Sequence, residues 1–159
     1  MDFLSRTPVS TKRLGAQLAQ MLQPHDVIAL VGQIGAGKTT FVQGIATGLG
    51  VPQENVTSPS FVLIKEYHGG RMPIFHADLF RLEGADEAMS MGLEECYQMP
   101  GVTVIEWANQ VPSVMPEEFL EVQFEVVNRT TRRLRMVPHG KKYEGRNWLK
   151  GNRREASRG

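Results

Sequence analysis

Residues 32–40 read Gly-Gln-Ile-Gly-Ala-Gly-Lys-Thr-Thr. They satisfy the pattern Gly-x4-Gly-Lys-[Ser/Thr] through Gly32, Gly37, Lys38 and Thr39. Small residues let successive main-chain N–H groups turn toward one anion, so Gly35, Ala36, Gly37, Lys38, Thr39 and Thr40 are the candidate phosphate-binding residues. A helix that starts here adds its positive end. Lys38 supplies a mobile cation, and the Thr39 hydroxyl is a hard oxygen suited to Mg²⁺. A glycine-rich turn with an incidental lysine is the plain alternative. Context argues against it. The aliphatic run Asp26–Val31 reads as a buried strand before the loop, and Thr39–Leu49 reads as a helix closed by Gly50.

The rest of the chain reads outward from that unit. Ser10-Thr11 is placed to cap a helix carrying Leu14, Leu18, Met21 and Leu22. Phe61–Tyr67 and Met72–Ala77 read as a hairpin turned at residues 68–71. Gly84–Met99 is helical with a break at Gly92, and Val102–Glu106 is a further strand. Leu120–Val127 and Thr131–Val137 alternate as an antiparallel pair. The expected fold is α/β: a single-domain, three-layer P-loop NTPase-like fold with a mixed parallel and antiparallel sheet over residues 1–140. Residues 141–159 are expected to form a basic, flexible tail, with poor order from His139 onward.

Three clusters surround the phosphate reading. Glu106 ends a strand, where a magnesium-binding carboxylate belongs; a surface salt bridge is its ordinary alternative. Thr57 begins a rigid Thr-Ser-Pro-Ser turn 18 residues after Thr39, a spacing comparable to that of switch threonines in small GTPases. His76-Ala-Asp-Leu-Phe-Arg81 places His76 and Asp78 on one strand face, suited to activating water or supporting a metal; alternatively Asp78 caps a helix and pairs with Arg81. No Asn-Lys-x-Asp guanine reader occurs. A small-molecule kinase needs an arginine-rich lid, and Gly84–Met99 holds no arginine. A motor ATPase needs a longer chain. A small ATPase that acts on partners remains.

Together, Gly32–Thr40, Thr57–Phe61, His76–Arg81, Met91-Gly-Leu-Glu94 and Ile105-Glu-Trp107 resemble the TsaE family, the ATPase subunit of bacterial threonylcarbamoyladenosine synthesis on tRNA. The resemblance spans about residues 8–140. Ser60 and Phe80 stand where threonine and tyrosine are commoner, and Asn109 where the family often carries an acid. The resemblance implies a weak, partner-dependent ATPase using ATP and Mg²⁺, required for the tRNA modification. Its partners are two protein subunits that hold the transfer site. It implies that Lys38 and the loop amides hold phosphates and that Thr39 and Glu106 hold magnesium. Asp78 and Thr57 are implied beside the γ-phosphate, and Thr11 and Arg132 near the base or ribose. A small-molecule P-loop kinase and a non-hydrolysing regulatory module are the alternatives.

Composition fits these expectations. The 159 residues are 41% hydrophobic and 22% charged, ordinary for one globular domain. The single cysteine, Cys96, excludes an internal disulfide. No basic-then-apolar leader precedes the first helix and no apolar run reaches membrane-spanning length, so a cytoplasmic chain without membrane contact is expected. The net charge of +1 conceals a division: residues 1–128 carry 7 basic and 15 acidic residues, residues 129–159 carry 11 and 2. The basic end either contacts tRNA or an acidic partner, or packs on the chain's own acidic body.

Overall fold

The computed structural model describes residues 2–33, 35–57 and 64–148. Seven strands form one sheet: β1 (Asp2–Ser5), β2 (Val27–Val31), β3 (Ile64–Tyr67), β4 (Ile74–Asp78), β5 (Val102–Glu106), β6 (Phe119–Val126) and β7 (Arg132–His139). Their order across the sheet is β1-β7-β6-β2-β5-β4-β3. The central strand β2 runs parallel to both β5 and β6, and β4 runs parallel to β5. The outer pairs β3–β4, β6–β7 and β1–β7 are antiparallel. The mixed sheet expected from the sequence is therefore present.

Alternating side chains divide the core into two layers. On one face Ile28, Leu30, Ile74, Val104 and Val122 meet α1 (Pro8–Ala19) and α2 (Lys38–Leu49) through Leu14, Leu18, Phe41 and Ile45. On the other, Val27, Ala29, Ala77 and Ile105 meet Leu93 of α4 (Leu93–Gln98) and short 3-10 turns carrying Ala108, Val111 and Val114. A short helix α3 (Ala85–Ser90) precedes α4, and Gly92 separates the two as expected. The helices α1 and α2 pack unusually close: a Cβ on Gly44 would lie 2.1 Å from the Lys12 carbonyl oxygen. Among the described residues no helix is long and apolar enough to cross a membrane.

Three local readings need correction. The N-cap of α1 is Thr7, whose Oγ1 accepts from the Ser10 amide at 3.1 Å, rather than Ser10 or Thr11. Pro8 at the first helical position moves the start one turn earlier. Strand β1 went unassigned because four residues give too short a pattern; it exists by pairing with β7.

The third correction concerns the chain from His139 to Trp148, which is ordered. A helix α5 (Lys141–Glu144) follows β7, and Tyr143 and Trp148 join the core. Arg146 grips the fully buried Asp26 with both guanidinium arms, at 2.6 and 2.8 Å, and Lys142 lies 3.5 Å from the same carboxylate. The Val27 amide donates to the Tyr143 hydroxyl at 2.8 Å. Lys142 and Arg146 of the basic end thus pack on the acidic body, at the very start of β2. The remainder of the expected tail, 149–159, lies outside the described residues.

Two stability tests follow from these contacts. Arg146→Ala removes the nearer of the two cations on a buried carboxylate and should lower unfolding stability by up to about 3–5 kcal/mol in urea titration, less as Lys142 compensates. Gly44→Ala should destabilise by about 1–3 kcal/mol, despite the better helix propensity of alanine, because the helices must part. An unchanged urea midpoint in either variant would contradict the packing described.

Candidate functional site

Parallel strands with a common direction present their carboxyl ends together, and here β2, β4 and β5 do so. Register places Leu30 of β2 opposite Glu106 of β5, and Glu106 opposite Asp78 of β4. The two acids consequently come together beside the loop that leaves β2. Main-chain bonds secure the junctions: the Trp107 amide donates to the Leu30 carbonyl and the Leu79 amide to the Glu106 carbonyl, each at 3.0 Å.

The loop itself bends through Gly35 and Gly37, with φ of 81° and 98°. These values suit glycine and admit no ordinary side chain without strain. A Cβ on Gly35 would meet nothing within 4 Å, so the loop faces open space. The first amide engaged within α2 is that of Phe41, which donates to the Gly37 carbonyl at 2.9 Å. The amides of Lys38, Thr39 and Thr40 have no acceptor inside the helix, as at every helix start. A cavity of about 450 Å³ opens there, lined by Gly35, Gly37, Lys38, Thr39, Thr40, Asp78, Phe80, Arg81, Glu106 and Trp107.

Lys38 is buried at the edge of this cavity. Its ammonium donates to the Gly32 carbonyl and lies 3.4 Å from the centre of the Trp107 ring. Burial lowers its pKa, partly offset by the negative charges of Glu106 and Asp78. Trp107 is held at φ 59°, a left-handed conformation costing about 1–3 kcal/mol for a bulky residue. That turn brings its ring over Lys38 and against Phe80, 4.8 Å between centroids. The ring thereby covers the lysine.

The Thr39 hydroxyl donates to Glu106 Oε2 at 3.4 Å. The same oxygen lies 2.6 Å from His76 Nε2. His76 is wholly buried and absent from the cavity wall, so it reaches the site through Glu106. On its other side, His76 Nδ1 is 3.0 Å from the Tyr67 hydroxyl, which is 3.2 Å from the Thr57 carbonyl. Burial raises the Tyr67 pKa, keeping the phenol protonated. Tyr67 carried no signal in sequence: a tyrosine in a short strand is ordinary, and only the β3–β4 pairing places it diagonally beside His76. Asp78 accepts the Phe80 amide at 2.8 Å, a local turn that aims one oxygen at the backbone.

The remaining candidates fall at the margins. Thr57 is exposed and is not on the cavity wall; its hydroxyl accepts from the Lys65 ammonium. Residues 58–61 of its turn lie outside the described residues. Thr11 is buried, bonded to Ser5 Oγ at 2.7 Å. Thr11 and Arg132 line a second cavity of about 410 Å³ on the far side of the loop, with Gly35, Gly37 and Thr40. Arg132 donates to the Gly35 carbonyl at 3.1 Å. Among the described residues no three His, Cys, Asp or Glu side chains form a metal cluster.

A three-layer α/β sheet with such a glycine-lysine-threonine loop after its central strand defines a P-loop NTPase-like protein. The comparisons narrow this class. Residues 5–134 match the family described as threonylcarbamoyl adenosine biosynthesis protein TsaE. The tRNA threonylcarbamoyladenosine biosynthesis protein TsaE of Bacillus subtilis is 38% identical over 137 residues, covering 86% of this chain and 85% of that protein. The protein of the same name from Treponema pallidum is 39% identical over 127 residues, covering 80% and 93%. A crystal structure of YdiB from Bacillus subtilis superposes with a TM-score of 0.76 at 32% identity, covering 91% of this chain and 89% of that one. The chain belongs to the TsaE family.

The lid of Trp107 over Lys38 has a direct chemical readout. Acylation of native protein by an amine reagent, followed residue by residue in mass spectrometry, should modify Lys38 far more slowly than exposed lysines. Trp107→Ala should raise the Lys38 rate several-fold and leave Lys65 and Lys142 unchanged. Equal Lys38 rates in both proteins would contradict the lid.

Proposed function

We propose that this chain binds ATP with Mg²⁺ at the loop 32–40 and hydrolyses it slowly. We further propose that it serves threonylcarbamoyladenosine modification of tRNA alongside two partner subunits that carry the transferase site. One observation carries the nucleotide reading: three amides at the start of α2 that have no acceptor within the helix, a buried lysine and two strand-end carboxylates all border one cavity. The names of the relatives support the biological role.

The residues fit the nucleotide and its metal. The open face at Gly35 leaves room for phosphate where a side chain would intrude. Magnesium is ordinarily held by one or two carboxylates with phosphate oxygens and water, so Thr39 and Glu106 suffice without a larger acidic cluster. Asp78 stands beside them on the cavity wall.

When bound, ATP supplies the phosphoanhydride to be cleaved and Mg²⁺ neutralises the charge on its oxygens. The chain's work is positioning and electrostatics. The amides of Lys38, Thr39 and Thr40 gain acceptors in phosphate oxygens. Lys38 exchanges its Gly32 carbonyl for phosphate, whose negative charge offsets the cost of burying the ammonium. Asp78 orients water near the terminal phosphate. Trp107 and Phe80 exclude bulk solvent from the lysine side. Arg81 is the cavity's only arginine among the described lining residues, so the isolated subunit is slow and gains rate with its partners. Changes at the segment beginning at Thr57 accompany turnover and alter partner affinity, in the manner of other phosphate-held switches.

Phosphate release from ATP, with and without the partner subunits, tests the reading. Lys38→Ala should lower turnover by roughly 10²-fold or more, and Glu106→Ala should shift the magnesium titration to higher concentration. Native rates in Lys38→Ala, or an unmoved titration in Glu106→Ala, would contradict these roles. Transfer of label from ATP to a metabolite would identify a kinase instead, and binding without phosphate release a regulatory module.

A further inference from the structure

The glycine-rich loop has two sides. Gly35, Gly37 and Thr40 line the cavity that holds Lys38, Thr39, Asp78 and Glu106, and they also line the second cavity of about 410 Å³. The first cavity collects the groups suited to phosphate and metal. A nucleotide whose phosphates lie on the loop therefore extends its nucleoside into the second, which falls within the size of small-molecule sites.

One chemistry dominates the wall of that second cavity. Its charged side chains are Arg6, Arg129 and Arg132, and its other polar side chains are threonines. Among the described lining residues there is no Asp, Glu, Asn or Gln. Arg132 is engaged by the fold: it donates to the carbonyls of Asn128 and Gly35, at 2.8 and 3.1 Å, and ties the β6–β7 turn to the loop. Arg6 and Arg129 are exposed, and among the described residues their side chains make no hydrogen bond or ion pair. Both stand on braced supports. Asn128 Oδ1 accepts the amides of Thr130 and Thr131, closing the turn that presents Arg129. Ser5 Oγ donates to the Thr7 carbonyl and Thr7 caps α1, which fixes the link that presents Arg6.

This wall suits the face of a base better than its edge. Adenine carries an exocyclic amine that needs an acceptor, and guanine carries a carbonyl oxygen there with N–H groups beside it. The side chains that tell these edges apart most sharply are carboxylates and carboxamides, which the wall lacks. Its threonine hydroxyls are already engaged, Thr7 by the Ser10 amide, Thr11 by Ser5 and Thr130 by Asn128. A guanidinium plane stacks on any base, because every base has a π-face. We infer that Arg6 and Arg129 hold the nucleoside end of a bound nucleotide by the face of its base, so that the site takes adenine and guanine nucleotides alike. This names the ligand class of the site proposed above and rests on that reading.

The test is calorimetric titration of the full chain with ADP, GDP and inorganic pyrophosphate, each with Mg²⁺. ADP and GDP should bind within about tenfold of one another, where a site built to hydrogen-bond one base edge discriminates by about 10⁴-fold or more. Arg6→Ala and Arg129→Ala should each weaken both nucleotides by roughly 3–10-fold and leave pyrophosphate unchanged. Both side chains are exposed, so neither substitution removes core packing. Arg129→Lys keeps the charge, loses the plane and should stay weakened. A preference beyond tenfold for either base, native nucleotide affinity in both alanine variants, full affinity in Arg129→Lys, or pyrophosphate weakened as much as ADP would each overturn the inference and leave the proposed function standing. Failure of the native chain to bind either nucleotide would overturn both.

Discussion

The register of three parallel strands governs this molecule. Leu30, Glu106 and Asp78 lie side by side because β2, β5 and β4 are hydrogen-bonded in that alignment. A slip of one residue would turn both acids to the opposite face. The alignment is fixed by burial on both faces, since Ile28, Val104 and Ile74 serve one core layer and Ala29, Ile105 and Ala77 the other. The glycine-rich loop departs from the same edge, so its lysine and threonine come beside the acids without further adjustment.

The amino end of β2 is held as firmly as its carboxyl end. Asp26, immediately before the strand, is clamped by Arg146, and the first amide of β2 is bonded to Tyr143. Segment 139–148 therefore braces the strand that carries the loop. It lies beyond the residues that match the family, which end at 134. A buried ion pair is weak as a source of stability but strict about geometry. Its value here lies in fixing where β2 begins.

Much of this was legible from residues alone. The loop, its strand and helix, the hairpin and the break at Gly92 each announce themselves through local patterns or residues with one conformational purpose. Glu106 and Asp78 were recognisable because both sit at strand ends. Three things were hidden, each because it depends on partners distant in sequence. β1 exists through pairing with β7. The order of 139–148 depends on a buried Asp26 that composition counts as one more acid. Tyr67 matters because β3 lies against β4, and His76 proves to support Glu106 from behind rather than face the cavity. Thr57 shows the converse: its spacing drew attention, while its position off the cavity wall could come only from coordinates.

The site's chemistry is local competition for a few charges. Lys38 is desolvated, covered by Trp107 and bonded to the chain's own Gly32 carbonyl, an arrangement that leaves a cation in need of a better partner. The first amides of α2, which have no acceptor within the helix, have the same need. The most direct measurement of the central claim is a crystal structure of the full chain with a non-hydrolysable ATP analogue and Mg²⁺ in excess. The account predicts phosphate oxygens within hydrogen-bonding distance of the amides of Gly35 to Thr40 and of Lys38 Nζ, with the metal between Thr39 and Glu106. Phosphates seated elsewhere on the chain, or a loop whose amides stay turned from the nucleotide, would contradict it.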